Sequence, residues 1–181
     1  AFAAEVANSL PTAVTLASED ETLAKVLMET LNSTVFRIYR SRDVIGAQIG
    51  GAVKNVLAIA CGIVEGRKLG DNAKSALITR GLAEITRLGI AKGAQAETFY
   101  GLSGLGDLTL TCNAIQSRNF SLGVALGQGK KLSDVLSERV SVAEGVFTAS
   151  TMVSLARQLN VDLPICSAVN GVLNQSSDID A

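Results

Sequence analysis

A chain of 181 residues with 48% hydrophobic and 18% charged residues and a mean hydropathy of +0.33 can bury one or two cores, which excludes a disordered polypeptide. A formal net charge of -1, with no basic run and no interleaving of basic and aromatic residues, argues against nucleic acid as a partner. No uninterrupted apolar run approaches the roughly 20 residues that a bilayer needs, and the N-terminus lacks a basic region followed by an apolar one, so no membrane span and a cytoplasmic location are expected.

Cys61, Cys112 and Cys166 lie far apart without a CxxC pair, and are expected to be small core residues rather than a redox or metal set. The chain has no histidine. Proton transfer must then use Lys, Asp, Glu, Tyr or Cys, and Ser–His, Cys–His and His–metal chemistry is excluded.

In chain order, Thr12 to Ala17 reads as a β-rich run, and Val35 to Arg40 (VFRIYR) alternates as a second strand. Between them Ser18-x-x-Glu21 is a capping box that opens a helix running to about Leu31. A helical crossover makes two such strands parallel, and a parallel sheet needs more strands and cover on both faces. Residues 1–42 are therefore expected to be the end of a larger α/β domain that begins upstream of Ala1; a tagged or processed chain is the other reading.

From Asp43 the pattern becomes helical. One helix is expected from Asp43 to Glu65, roughly 34 Å long at the α-helical rise. Asp71 is expected to cap a second, with Ile78, Leu82, Ile85 and Leu88 as its apolar stripe and Arg80, Glu84 and Arg87 as a solvated charged face. Shorter helices follow at about 97–102, 108–114, 117–127, 132–138, 145–159 and 165–173, so residues 43–181 read as an all-helical domain. The glycines of GLSGLG, Gly101 to Gly106, are spaced GxxGxG with no strand before them, which does not match a dinucleotide loop.

Lys54 sits in the middle of the apolar run GGAVKNVLAIACG, and its helical neighbours Gly50, Gly51, Ala58 and Cys61 are all small. Small neighbours leave room for another molecule or backbone, so a functional lysine stands beside the alternative of a snorkelling surface lysine. Asn55 could orient a carbonyl or hydroxyl oxygen, or be a buried amide satisfied by backbone. Asp107, after a Gly-rich turn and four residues before Thr111, could be a simple helix-start acid or could face Lys54 and fix the direction of its amine. Ser117 is a natural N-cap, and with Arg118 and Asn119 it makes a weak anion-site signal for phosphate or carboxylate. Glu144 also stands near a helix start, where an acid complements the dipole.

GGAVKNVLAIACGIVEGRKLGDNAKSALITRGLAEITRLG, followed by FYGLSGLGDLTLTC and QSRN, closely resembles the bacterial type of NAD(P)-dependent glycerol-3-phosphate dehydrogenase. The likeness extends to AFAAEVANSLPTAVTLASEDE and to AEGVFTASTMVSLARQLNVDLPI, and so covers essentially the whole chain. The resemblance implies a mainly α fold: a helical domain like that of 6-phosphogluconate dehydrogenase over residues 43–181, preceded by a β-α-β remnant of a Rossmann dinucleotide-binding domain over residues 1–42. It implies interconversion of sn-glycerol 3-phosphate and dihydroxyacetone phosphate, a step toward glycerophospholipids, with NAD(H) or NADP(H) as coenzyme and a homodimer as the assembly.

On the same resemblance, Lys54 is the proton-transferring residue, with Asn55 beside it, and Asp107 is the aspartate of the substrate site. Ser117, Arg118 and Asn119 bind the substrate, with Thr111 as a further phosphate ligand, while Arg118, Val142 and Glu144 contact the coenzyme. The family's GxGxxG loop and upstream substrate-binding lysine have no counterpart, and the chain stops short of the family's usual C-terminus. The 181-residue chain alone is therefore expected to be inactive and to bind NAD(H) weakly or not at all. The alternatives are the helical domain of another NAD(P)-dependent hydroxyacid or sugar-acid dehydrogenase, and a non-catalytic helical dimerisation module.

Overall fold

A computed structural model describes residues 1–137, 143–175 and 177–179. A short helix α1 (Ala3–Ala7), which no sequence signal announces, precedes strand β1 (Thr12–Ala17), helix α2 (Glu21–Leu31) and strand β2 (Phe36–Ser41). The two strands pair in parallel, with Thr12 opposite Phe36 and Ala17 opposite Ser41. The cap of α2 is not Ser18 but Asp20, whose carboxylate accepts the Leu23 N–H at 2.9 Å; the Ser18 hydroxyl instead accepts the Asp20 N–H at 3.2 Å. Two acceptors compete here, and the one three residues before its donor has the N-cap geometry.

The rest is helical. Helix α3 (Val44–Gly66) is followed by α4 (Asp71–Ala91), a 3-10 turn (Ala96–Tyr100), a π-helical turn (Leu102–Gly106), α5 (Asp107–Asn113), α6 (Arg118–Gly127), α7 (Leu132–Ser137), α8 (Gly145–Gln158) and α9 (Pro164–Asn174). Asp71 is the first residue of α4 rather than its cap: Gly70, at φ 88°, occupies the cap position, a conformation that costs glycine little.

Helix α3 is the axis of the domain. By length and composition it is apolar enough to cross a bilayer, although Lys54 and Asn55 interrupt its apolar run; it is sheathed by α4, α5, α6, α8 and α9. Val53, Val56, Leu57, Ala58, Ile59 and Cys61 are all buried without exposure. Burying each large aliphatic side chain is worth roughly 2 kcal/mol, so the packing fixes this helix far more firmly than local propensity could.

The closest contact of α3 is with α6. Side chains at Gly62 and Gly66 would run into the backbone of α6, and side chains at Gly123 and Gly127 into that of α3. Two pairs of glycines, each one turn apart, thus let two backbones touch. Because Gly62 meets Gly123 and Gly66 meets Gly127, the helices run in the same direction, and the start of α6 lies beside the middle of α3.

Asp43 anchors the start of α3. Its carboxylate accepts N–H bonds from Gly46 and Gln95, each at 2.8 Å, and the Thr98 hydroxyl at 2.6 Å, which ties α3 to the segment after α4. Burial pushes this carboxyl up, but the three hydrogen bonds outweigh it and hold the group below its ordinary value.

One charge on α4 contradicts its expected solvated face. Arg80 and Arg87 are exposed, but Glu84 is only 1% exposed, and its two oxygens accept the N–H groups of Ile165 at 2.7 Å and Cys166 at 3.1 Å. Helix α9 begins with Pro164 and has no side-chain cap of its own, so Glu84 caps it from another helix. The three cysteines are free thiols in the core, as expected. Burial, and next the Glu84 carboxylate, push the Cys166 thiol up, which keeps it protonated.

Candidate active site

The chemistry converges where α3, α5, α6 and α8 meet. The π-helical turn Leu102–Gly106 lies against α3 at Gly50, where any side chain would collide with the Ser103 carbonyl; Gly104 is pressed as closely on the backbone of Phe99. GLSGLG is thus a compact turn that delivers α5 to the side of α3, and π-type turns of this kind recur where a helix must present a group. Its next residue, Asp107, opens α5 and meets Lys54: Nζ donates to Oδ2 in a direct ion pair. The two side chains are 20% and 19% exposed, shielded from bulk water yet open to a ligand.

The strip of small residues around Lys54 divides into two kinds. Gly50, Ala58 and Cys61 are small because protein packs on them, whereas Gly51 faces open space.

Asn55, one residue on, donates through Nδ2 to the Gly51 carbonyl at 3.3 Å and accepts through Oδ1 from Asn119 Nδ2 at 3.0 Å. Asn119 is buried and accepts the Gly145 N–H through its own Oδ1 at 2.9 Å. A chain of amides therefore ties the middle of α3 to the start of α6 and the start of α8, and its partners fix which way both amides point.

Ser117 is the N-cap of α6, its buried hydroxyl accepting the Phe120 N–H at 3.2 Å. Arg118, in the first turn, pairs through Nη2 with Glu144 Oε1 at 2.6 Å, and both side chains are about half exposed. Thr111 is buried, and its hydroxyl donates to the Asp107 carbonyl at 2.6 Å. All of these line a single cleft of about 360 Å³, together with Gly51 and Gln116. Val142 lies outside the described residues.

The cleft thus gathers a cation-anion pair at one point and, beside it, a helix N-terminus with a guanidinium. An ammonium group held by a carboxylate can exchange a proton with an oxygen, and a helix start with an arginine can hold an anion. A second cleft of about 470 Å³, between β1 and the π-helical turn, shares Asp107 and Leu110 with the first. Gln116, the first residue of QSRN, carries no chemical signal of its own in the sequence beyond its place ahead of an N-cap.

Solved structures of glycerol-3-phosphate dehydrogenases share this architecture. The enzyme from Coxiella burnetii superposes with a TM-score of 0.95 at 44% identity, covering 98% of this chain and 55% of that one. The enzyme from Saccharomyces cerevisiae superposes at 0.89 with 28% identity, over 99% and 55% of the two chains. The family model for the C-terminus of NAD-dependent glycerol-3-phosphate dehydrogenase matches residues 43–181, and this chain belongs to that family. Among curated relatives, the glycerol-3-phosphate dehydrogenase [NAD(P)+] of Rhodospirillum rubrum is 64% identical over 98% of this chain and 51% of its own length, and that of Parvibaculum lavamentivorans 60% identical over 99% and 54%. The chain spans about half the length of these relatives.

Proposed function

We propose that this chain is the substrate-binding and catalytic part of an enzyme that interconverts sn-glycerol 3-phosphate and dihydroxyacetone phosphate. The observation that carries the reading is the Lys54–Asp107 ion pair opening onto the same cleft as Ser117 and Arg118. In the direction of reduction, Lys54 Nζ gives a proton to the oxygen on C2; in oxidation it takes that proton back. Asp107 holds the ammonium group in direction, and Asn55, fixed by Asn119, presents a donor or acceptor to an oxygen of the same substrate. The start of α6 and Arg118 take the phosphate.

A nicotinamide dinucleotide, NAD(H) or NADP(H), supplies or accepts the hydride at C2 when bound. The Arg118 guanidinium and Glu144 carboxylate at the rim suit its phosphate and hydroxyl groups, with Val142 as a third candidate contact. GLSGLG forms a π-helical turn over Leu102–Gly106 with Gly104 pressed on the Phe99 backbone, which does not suit a pyrophosphate cradle. On this reading GLSGLG does not supply the main coenzyme contacts. On the same reading residues 1–42 are the end of a dinucleotide-binding domain, 43–181 are the substrate domain, the 181-residue chain alone does not turn over, and the assembly is a homodimer.

The test is steady-state kinetics of the full-length protein. Glycerol 3-phosphate should be preferred over glycerol and 2-hydroxyacids, and Lys54→Ala should lower kcat by about 10²–10⁴-fold with the thermal transition retained. Preference for an unphosphorylated compound, or near-normal turnover of Lys54→Ala, would refute the assignment.

A further inference from the structure

We propose that Gly51 is a specificity-determining residue, its missing side chain reserving the space in which the carbon body of the substrate lies against α3. The inference rests on the reading of the cleft as a substrate site.

The seventeen glycines of the chain fall into classes by what a side chain would meet. Most are pressed against protein: in α3 alone, Gly46, Gly50, Gly62 and Gly66 each have a neighbour that a Cβ would strike. Gly70, Gly93 and Gly129 face open space, but their φ angles of 88°, 96° and 88° give them a conformational reason to be glycine. Gly51 has neither reason. It is helical, in the interior of α3, and nothing lies within 4 Å of where its Cβ would be.

A glycine in mid-helix lowers helix stability relative to alanine, so the position carries a cost that no packing within the described residues explains. What the position does have is a place in the cleft. Gly51 lines it one turn before Lys54 and Asn55, and its carbonyl receives the Asn55 amide, so the bare Cα stands beside the groups assigned to the reacting carbon. A methyl group there would project into the cleft without touching anything already present. Room for the carbons flanking C2 is the use this geometry allows, and it sets an upper limit on what can sit beside Lys54.

The experiment compares unsubstituted full-length protein with Gly51→Ala and Gly51→Val, measuring kcat/KM for dihydroxyacetone phosphate, the KM for the coenzyme and the thermal midpoint. The expected result is a thermal midpoint for Gly51→Ala equal to or above that of the unsubstituted protein. Its kcat/KM should fall at least ten-fold and that of Gly51→Val further, with the coenzyme KM within two-fold. Unchanged kcat/KM would overturn the assignment. So would a lowered midpoint for Gly51→Ala, which would mean that protein fills the space, or a rise confined to the coenzyme KM, which would give the space to the coenzyme. Absence of turnover in the unsubstituted protein would instead remove the proposed function, and this inference with it.

Discussion

Lys54 and Asp107 stand 53 residues apart in the chain, yet the ammonium of one donates directly to the carboxylate of the other. Each rests on a packed element: Lys54 on the central helix, and Asp107 after the π-helical turn, which packs on Gly50 of α3 and, through Gly104, on Phe99. Two groups that act as one unit should lose function non-additively. Asp107→Asn keeps the shape and removes the charge, and should lower kcat by about 10²-fold; combined with Lys54→Ala it should cost little beyond the lysine change alone. A double-mutant cycle on kcat checks this, and strict additivity would show that the pair does not work together.

Asn119 should prove to be a positioning residue as well as a part of the cleft wall. Asn119→Ala leaves the Gly145 N–H without its acceptor in a buried place and frees Asn55 to rotate, so it should cost about 1–3 kcal/mol of stability. The substrate KM should rise while the pH dependence of kcat stays unchanged, because Lys54 is not touched. Urea unfolding and a pH-rate profile separate the two effects.

Glu84→Ala should be among the most damaging changes away from the cleft. It strips the part-buried Ile165 N–H and the buried Cys166 N–H at the start of α9 of a charged acceptor, a loss of about 2–4 kcal/mol by the ordinary cost of such groups. Glu84→Gln has one acceptor oxygen for two donors and should recover only part of that loss. Chemical denaturation with an unchanged slope is the check.

Asp43 makes a contribution that depends on pH. Its folded carboxyl is held below the ordinary value of 3.8, so the unfolded chain binds the proton more readily. The stabilisation is complete above the unfolded value and disappears as pH falls through the lower folded one. Asp43→Asn should therefore have a lower urea midpoint than the parent at about pH 7, and the gap should narrow as the pH is taken down past the ordinary value of 3.8. A gap independent of pH would show that the hydrogen bonds, not the charge, carry the effect.

Much of this architecture is legible in local pattern. The long apolar run ending at Gly66, the alternation of VFRIYR and the Ser117 cap each involve residues within a few positions of one another, and each appears where its pattern places it. What pattern misreads is contact at a distance. Glu84 has the spacing of a solvated charge, and only the arrival of α9, eighty-one residues on, makes it a buried cap. The small residues around Lys54 hint at space, but three of the four are small for packing on protein, which spacing cannot tell from room for a ligand. At α2 and α4 adjacent candidates compete for the cap, and geometry favours Asp20 over Ser18 and Gly70 over Asp71.

Placing Lys54 on the most deeply enclosed helix ties the lifetime of the cleft to that of the whole molecule. Amides from Val53 to Leu57 sit in the interior of α3, with α4, α5, α6, α8 and α9 around that helix, so no small local opening can release them. Their deuterium uptake should follow complete unfolding, while α1, which buries none of its residues, should exchange within the dead time of such a measurement. A molecule that has lost the setting of Lys54 would then have lost its fold as well.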